Sequence, residues 1–278
     1  MKVRILTSIV ATCILIPALM LSATPIFCAA VAAVAVIAIF EITRCIGVKK
    51  LYITFPVYLA ALALPFLFRY SGNIYRAAVI SFIFAAIYLM YLFTLAILSH
   101  GKLGFADIST LFCVSAYILA ALTSIIYVRD FGDYGKYLYL LIFIGAWITD
   151  TFAYFTGVFF GKHKLIEDVS PKKTIEGSIG GILFCIISFA VFGIVMDAFF
   201  DRSANILFLA VSAIAVSIVS QIGDLIMSVI KRHYGIKDYG KIFPGHGGML
   251  DRFDSILAVS LCLMAICMLA GLLNVQLL

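Results

Sequence analysis

The sequence predicts an all-α, polytopic integral membrane protein with about nine transmembrane helices, and three observations predict it. Of 278 residues, 64% are hydrophobic and only 12% charged. The mean hydropathy is +1.17, far above that of a chain with the roughly half-apolar balance of a soluble domain. The apolar residues also recur in runs of about 20, the length a helix needs to cross a bilayer core. Disorder, collagen-like sequence and a disulfide-stapled secreted fold are excluded. Cys13, Cys28, Cys45, Cys113, Cys185, Cys262 and Cys267 form no CxxC pair and fall mostly within apolar runs, where a thiol packs as a small hydrophobe. His100, His163, His233 and His246 have neither an i, i+4 partner nor a cysteine at ligand spacing, which argues against a transition-metal cage.

In chain order the expected spans run from about 5 to 21, 26 to 43, 51 to 68, 75 to 99, 105 to 128, 137 to 160, 178 to 200, 204 to 230 and 254 to 275. The first opens with Lys2 and Arg4 before an apolar core, as a signal peptide does. Because further apolar runs follow almost at once, it is read as an uncleaved membrane helix. Two connections are long, 161–177 and 231–254. No repeat, low-complexity tract or linker divides the chain, so residues 1–278 are expected to form a single membrane domain. Its first part, 1–135, is read as scaffold and lipid-contact helices and 136–278 as the catalytic half, because ten of the 14 acidic residues lie from Asp150 onward.

The net charge of +6 reads as a topology signal rather than a nucleic-acid footprint. With nine spans, one side collects 15 basic residues: Lys2, Arg4, Arg44, Lys49, Lys50, Lys102, Lys162, Lys164, Lys172, Lys173, Lys231, Arg232, Lys237, Lys241 and Arg252. The other collects five: Arg69, Arg76, Arg129, Lys136 and Arg202. Cytoplasmic loops carry the excess of Lys and Arg, so the amino terminus and both long loops are expected in the cytoplasm.

A carboxylate within hydrocarbon costs about 2.5 to 3.5 kcal/mol on insertion scales, so Asp224 calls for a reason. Gln221, Asp224, Ser228, Lys231 and Arg232 fall within roughly a 100° stripe of one helix at about 100° per residue. An Asp paired with a basic residue to hold helices in register is the plain alternative. Downstream, a basic and glycine-rich loop leads through Gly247 and Gly248 into Asp251, Arg252 and Asp254. Glycines before a helix let backbone N–H groups approach an anion, and the helix start adds its positive dipole end. Asp251 and Asp254 share a helix face, and with Asp224 they offer the hard oxygens that magnesium prefers beside phosphate. Capping of the helix start accounts for Asp251 alone, not for the set. A third segment sets Asp150, Tyr154, Gly157 and Gly161 on one stripe and continues into Ser170-Pro171-Lys172-Lys173-Thr174-Ile175-Glu176-Gly177. A triphosphate, a lipid headgroup, or positive-inside charge with packing glycines all suit it. Neither GxxxxGK[ST] nor GxGxxG after a strand occurs.

The run from Ser228 to Asp254 resembles the signature of the CDP-diacylglycerol synthases, also called phosphatidate cytidylyltransferases. That signature reads S-x-x-K-R, four residues, K-D, and then H-G-G-x-x-D-R-x-D. It is filled here by Ser228, Lys231, Arg232, Lys237, Asp238, His246, Gly247, Gly248, Asp251, Arg252 and Asp254. Gln221-Ile-Gly223-Asp224 and the upstream S-P-K-K-T-x-E-G with Gly180-Gly181 are similar as well. Ile175 departs from the Trp that many relatives carry, at no proposed ligand. The motifs cover about 150 to 255; the first half is similar only as a run of membrane helices.

The resemblance implies the reaction of CTP with phosphatidate to CDP-diacylglycerol and pyrophosphate. It implies magnesium, with a second cation such as K⁺, on Asp224, Asp251 and Asp254. Lys231, Arg232 and Arg252 would screen phosphates, with Ser228 and Asp238 beside them in the catalytic set. Ser170, Lys172, Lys173, Thr174, His246, Gly247 and Gly248 would hold substrate, His246 more by steadying the loop. The expected setting is the inner membrane with the site facing the cytoplasm, the bilayer and a second copy of the chain as partners, and no nucleic acid. Two other activities fit the same features: a CTP-dependent lipid kinase of the polyprenol or phytol type, and an ion-coupled transporter using Asp150 and Asp224.

Overall fold

The computed structural model describes residues 2–48, 50–100, 103–167, 169–200, 204–245, 247–275 and 277, with the side chains of 2–6, 8 and 9 left undescribed. Lys49, Lys102, Arg202 and His246, all named above, therefore lie outside the described residues, as do the side chains of Lys2 and Arg4. The elements are α1 (Lys2–Met20), α2 (Pro25–Ile46), α3 (Leu51–Tyr70), α4 (Ile74–Leu98), α5 (Phe105–Arg129), α6 (Gly135–Leu138), α7 (Leu140–Phe160), β1 (Lys164–Ile166), β2 (Ser170–Thr174), α8 (Ile175–Phe200), α9 (Ile206–His233) and α10 (Leu250–Leu273).

Among the described residues, eight helices are long and apolar enough to cross a bilayer, with a shorter apolar stretch at Val10–Met20 in α1. The chain is an all-α polytopic membrane protein. Three details differ from expectation. The four-residue α6 precedes α7. The 161–177 connection contains a two-stranded antiparallel hairpin with Lys164 opposite Thr174 and Ile166 opposite Ser170. Finally, α10 starts at Leu250 rather than near 254, because an acidic residue such as Asp251 is favoured in a first turn.

Two compact units emerge, Met1–Tyr127 with Tyr234–Arg252, and Val128–His233 with Phe253–Leu278. In the first, α2 starts with Pro25 at its first helical position and ends on Gly47, whose φ of 83° is the left-handed conformation that glycine adopts cheaply. Its buried Ala32, Ala35 and Ala38 form a small-residue surface, the kind that lets membrane helices approach closely. The Tyr88 hydroxyl of α4 donates to the Ile53 carbonyl of α3 at 3.0 Å. Most of α4 is otherwise exposed and apolar all round, as suits a lipid-facing helix.

In the second unit α7 and α8 meet through small residues. A Cβ at Gly181 would lie 3.0 Å from the Thr149 carbonyl, and Phe152 stacks on Phe184 with ring centroids 3.8 Å apart. Across α7 and α9, Thr149 donates to Ser217 at 3.0 Å. A Cβ at Gly223 would collide with Ala258 and lie 3.0 Å from the Asp254 carbonyl. The glycine beside Asp224 is thus what allows α9 to lie against α10.

Candidate active site

In the second unit the site is built on α9. The helical spacing read from the sequence holds: Gln221, Asp224, Ser228 and Lys231 lie on one stretch of the helix, with Gln221 and Lys231 buried. Asp224 accepts from Lys173, Nζ to Oδ2 2.6 Å, and more weakly from the Ser228 hydroxyl at 3.4 Å. Lys173 also reaches the Gln221 carbonyl at 3.4 Å.

What delivers Lys173 is the hairpin, which is itself fixed by the start of α8. The Thr174 hydroxyl accepts the Gly177 N–H at 3.1 Å, an N-cap in the ordinary Ser/Thr manner. Glu176 accepts the N–H groups of Lys162 and His163 and pairs with His163 Nδ1 at 2.6 Å. Thr174, expected to hold substrate, is buried with its hydroxyl turned to the α8 start. Ser170 is part-buried at the beginning of β2, while Lys172 is exposed on it.

Asp254 on α10 accepts the Ser255 N–H at 2.9 Å, and Ser255 Oγ donates to Asp150 of α7 at 2.8 Å. The charged neighbours of Asp254 are Asp224, Asp150 and Lys231. Three membrane helices therefore gather three carboxylates against two ammonium groups, Lys173 and Lys231. Asp150 was legible as a carboxylate on the α7 stripe, but nothing in sequence spacing ties it to Asp254. Arg232 is exposed at the last turn of α9, where positive charge complements the helix dipole.

In the first unit the 234–249 loop folds back on itself. The Phe243 N–H donates to the Gly247 carbonyl at 3.0 Å around a Pro244-Gly245 turn. Gly245 and Gly247 have φ of 81° and 88°, values that favour glycine. An open hollow of about 740 Å³ is lined by Lys237, Asp238, Gly240, Lys241, Gly247 and Arg252 among others. Three cations to one carboxylate give it a positive lining, of the kind that suits an anion. Lys237, named earlier as a position of the motif, and Lys241 join this set although neither was among the expected site residues.

The helix start differs from expectation. Its N–H groups were read as open to a bound anion, yet they are taken by protein carboxylates. Asp251 Oδ2 accepts from Gly248 and Tyr239, both at 2.8 Å. Glu41, from α2, accepts from Met249 at 2.9 Å and Leu250 at 2.8 Å. An unpaired helix start demands acceptors, and when buried it finds them within the protein. Gly248 thus gives its N–H to Asp251, and one oxygen of Asp251, expected to bind metal, serves the loop. Sequence reading did not single out Glu41. Its one signal was its position as an acidic residue inside an otherwise apolar run.

Among the described residues, no group of three or more His, Cys, Asp or Glu side chains is gathered closely enough to enclose a metal. Magnesium seldom requires such a cage, since it commonly uses one or two carboxylates and completes its shell with water and substrate phosphate. Asp224 and Asp254 suit that role in donor chemistry. The lysine ammonium on Asp224 Oδ2 marks that oxygen as one that attracts a cation.

Comparison with known proteins agrees over nearly the whole chain. Residues 2–270 match the model of the cytidylyltransferase family. The phosphatidate cytidylyltransferase of Staphylococcus haemolyticus (strain JCSC1435) is 37% identical over 261 residues, covering 93% of this chain and 96% of the relative. That of Staphylococcus epidermidis (strain ATCC 12228) is 36% identical with the same coverage, and that of Staphylococcus aureus (strain COL) is 33% identical, again over 93% and 96%. A match of this extent means that the chain belongs to the cytidylyltransferase family.

Proposed function

We propose that this protein is a phosphatidate cytidylyltransferase, converting CTP and phosphatidate to CDP-diacylglycerol and pyrophosphate at the cytoplasmic face of the inner membrane. The observation that carries the reading is the cluster of Asp150, Asp224 and Asp254 on three membrane helices, with Lys173 and Lys231 as its cations. Such a cluster in an apolar bundle has a chemical purpose, and family membership names the chemistry. The 15-to-5 distribution of basic residues supports the cytoplasmic orientation.

An oxygen of the phosphatidate phosphate attacks the α-phosphorus of CTP. A new P–O bond forms, the bond from that phosphorus to the α,β-bridging oxygen breaks, and pyrophosphate leaves with the electron pair. The attacking phosphate has a second pKa near about 6 and is mostly ionised at neutral pH, so no protein base is required. Bringing two anions together and holding charge on the leaving group are the demanding steps, and they are met by position and electrostatics. Lys237, Lys241 and Arg252 bind phosphate oxygens in the hollow, while Lys173, Lys231 and Arg232 counter charge beside the carboxylates. Asp224 and Asp254 would hold magnesium, which supplies charge neutralisation to the triphosphate when bound. Asp251 acts chiefly by ordering the loop.

Labelled CTP tests the reading in purified protein supplied with phosphatidate. Label from the α-phosphate is expected in the organic phase as a liponucleotide, with γ-phosphate label leaving as pyrophosphate. Transfer of γ-label into lipid would replace the reading with a lipid kinase. Ion movement in liposomes without CTP consumption would replace it with a transporter.

A further inference from the structure

We propose that Glu41 is a positioning residue for nucleotide binding, acting through the loop whose hollow takes the phosphates; the proposal rests on the reading above. Glu41 is 1% exposed and lies on α2, five residues before that helix ends. Each of its oxygens accepts one backbone N–H at the start of α10, Oε1 from Met249 and Oε2 from Leu250. Both bonds are charge-assisted and carry directional constraint. The same carboxylate also backs the loop. A Cβ built at Gly240 or at Gly248 would run into Oε1, so two glycines of the loop rest directly against Glu41.

Gly240 lines the hollow between Lys237 and Lys241, and Gly247 and Arg252 line it on the α10 side. The carboxylate thus sits behind the wall of the phosphate hollow and fixes both limbs of the loop that forms it. Asp251 completes the arrangement by accepting from Tyr239 and Gly248. Between them, two carboxylates tie residues 239 and 248–250 in place, leaving the loop lysines and Arg252 directed by a fixed backbone. Glu41 touches no reacting atom in this scheme. Its effect is on how well the cations meet the nucleotide.

Two measurements on the full chain test this: steady-state kinetics with CTP varied, and hydrogen exchange over residues 239–250. Glu41→Gln keeps the shape but replaces one acceptor with an NH₂ group. It is expected to raise the KM for CTP about tenfold with kcat within about twofold, and to speed exchange at Met249 and Leu250 about tenfold. Gly240→Ala, which puts a methyl group on the same carboxylate, is expected to do likewise, and the double variant to be no worse than either single one. A loss of kcat at unchanged KM with unchanged loop exchange would overturn the proposal, because that is what a smaller folded fraction produces. So would full additivity of the two substitutions. If the wild type makes no liponucleotide, the enzymatic reading falls, and the exchange comparison still decides whether Glu41 orders the loop.

Discussion

Two groups of acids in this protein are satisfied in different ways: Glu41 and Asp251 are buried, whereas Asp224 and Asp254 are part-buried and Asp150 is exposed. Glu41 and Asp251 in the first unit meet backbone N–H groups, four of them, from Tyr239, Gly248, Met249 and Leu250. In the second unit Asp150 meets the Ser255 hydroxyl and Asp224 meets Lys173, while Asp254 accepts a single backbone N–H, from Ser255, and has Asp224, Asp150 and Lys231 as charged neighbours. Fixed N–H donors neutralise a carboxylate permanently and yield structure. Carboxylates crowded with like charge, and met by a lysine ammonium and serine hydroxyls with few backbone donors, have the donor chemistry that suits a cation. Under the proposed function, the difference separates acids that build the site from acids that would operate it, which residue type alone does not reveal.

If that separation is correct, its strongest test is Asp224→Asn. Turnover is expected to fall by about three orders of magnitude, while the protein inserts and elutes as the wild type does on size exclusion. Activity near that of the wild type would erase the distinction. Next in size is Lys173→Met, which removes the ammonium that competes for Asp224 Oδ2. Turnover is expected to fall about a hundredfold, yet the magnesium concentration for half-maximal rate should drop, because one cation no longer has to be displaced. A higher magnesium requirement would show that Lys173 supports the cation instead of standing in for it. Smaller still is Ser255→Ala, which deletes the bond to Asp150. A loss of about 0.5–1.5 kcal/mol in stability is expected, read as a modest fall in the detergent-solubilised melting temperature. Thr174→Val removes the N-cap of α8 and is expected to cost about 1 kcal/mol, measured in the same melt. An unchanged melting temperature would mean that the hairpin holds Lys173 without that cap.

The spans were legible because bilayer thickness imposes a length on every apolar run, and eight of the nine expected segments match long apolar helices. The α9 stripe was legible for a similar reason, since 3.6-residue periodicity sets Gln221, Asp224, Ser228 and Lys231 on one side without any tertiary information. Glu41 was not. Its partners Met249 and Leu250 are 208 and 209 residues away, and no local pattern announces a bond of that range. The pairing of Lys173 with Asp224 was hidden likewise: the SPKKT segment read as a cationic loop, and its hairpin is held by a cap from Thr174 and an anchor from Glu176. Expecting open N–H groups before α10 was sound for an exposed helix start and failed because this one is buried, where the protein supplies its own acceptors.

The proposed function requires the acids of α7, α9 and α10 to attract a divalent cation. Titration of the purified protein with Mn²⁺, followed by electron paramagnetic resonance in the presence of CTP, tests it most directly. Wild-type protein is expected to take up Mn²⁺ in a saturable manner that magnesium displaces, with Asp224→Asn losing that uptake while Glu41→Gln retains it. Equal uptake by the wild type and Asp224→Asn would contradict the account.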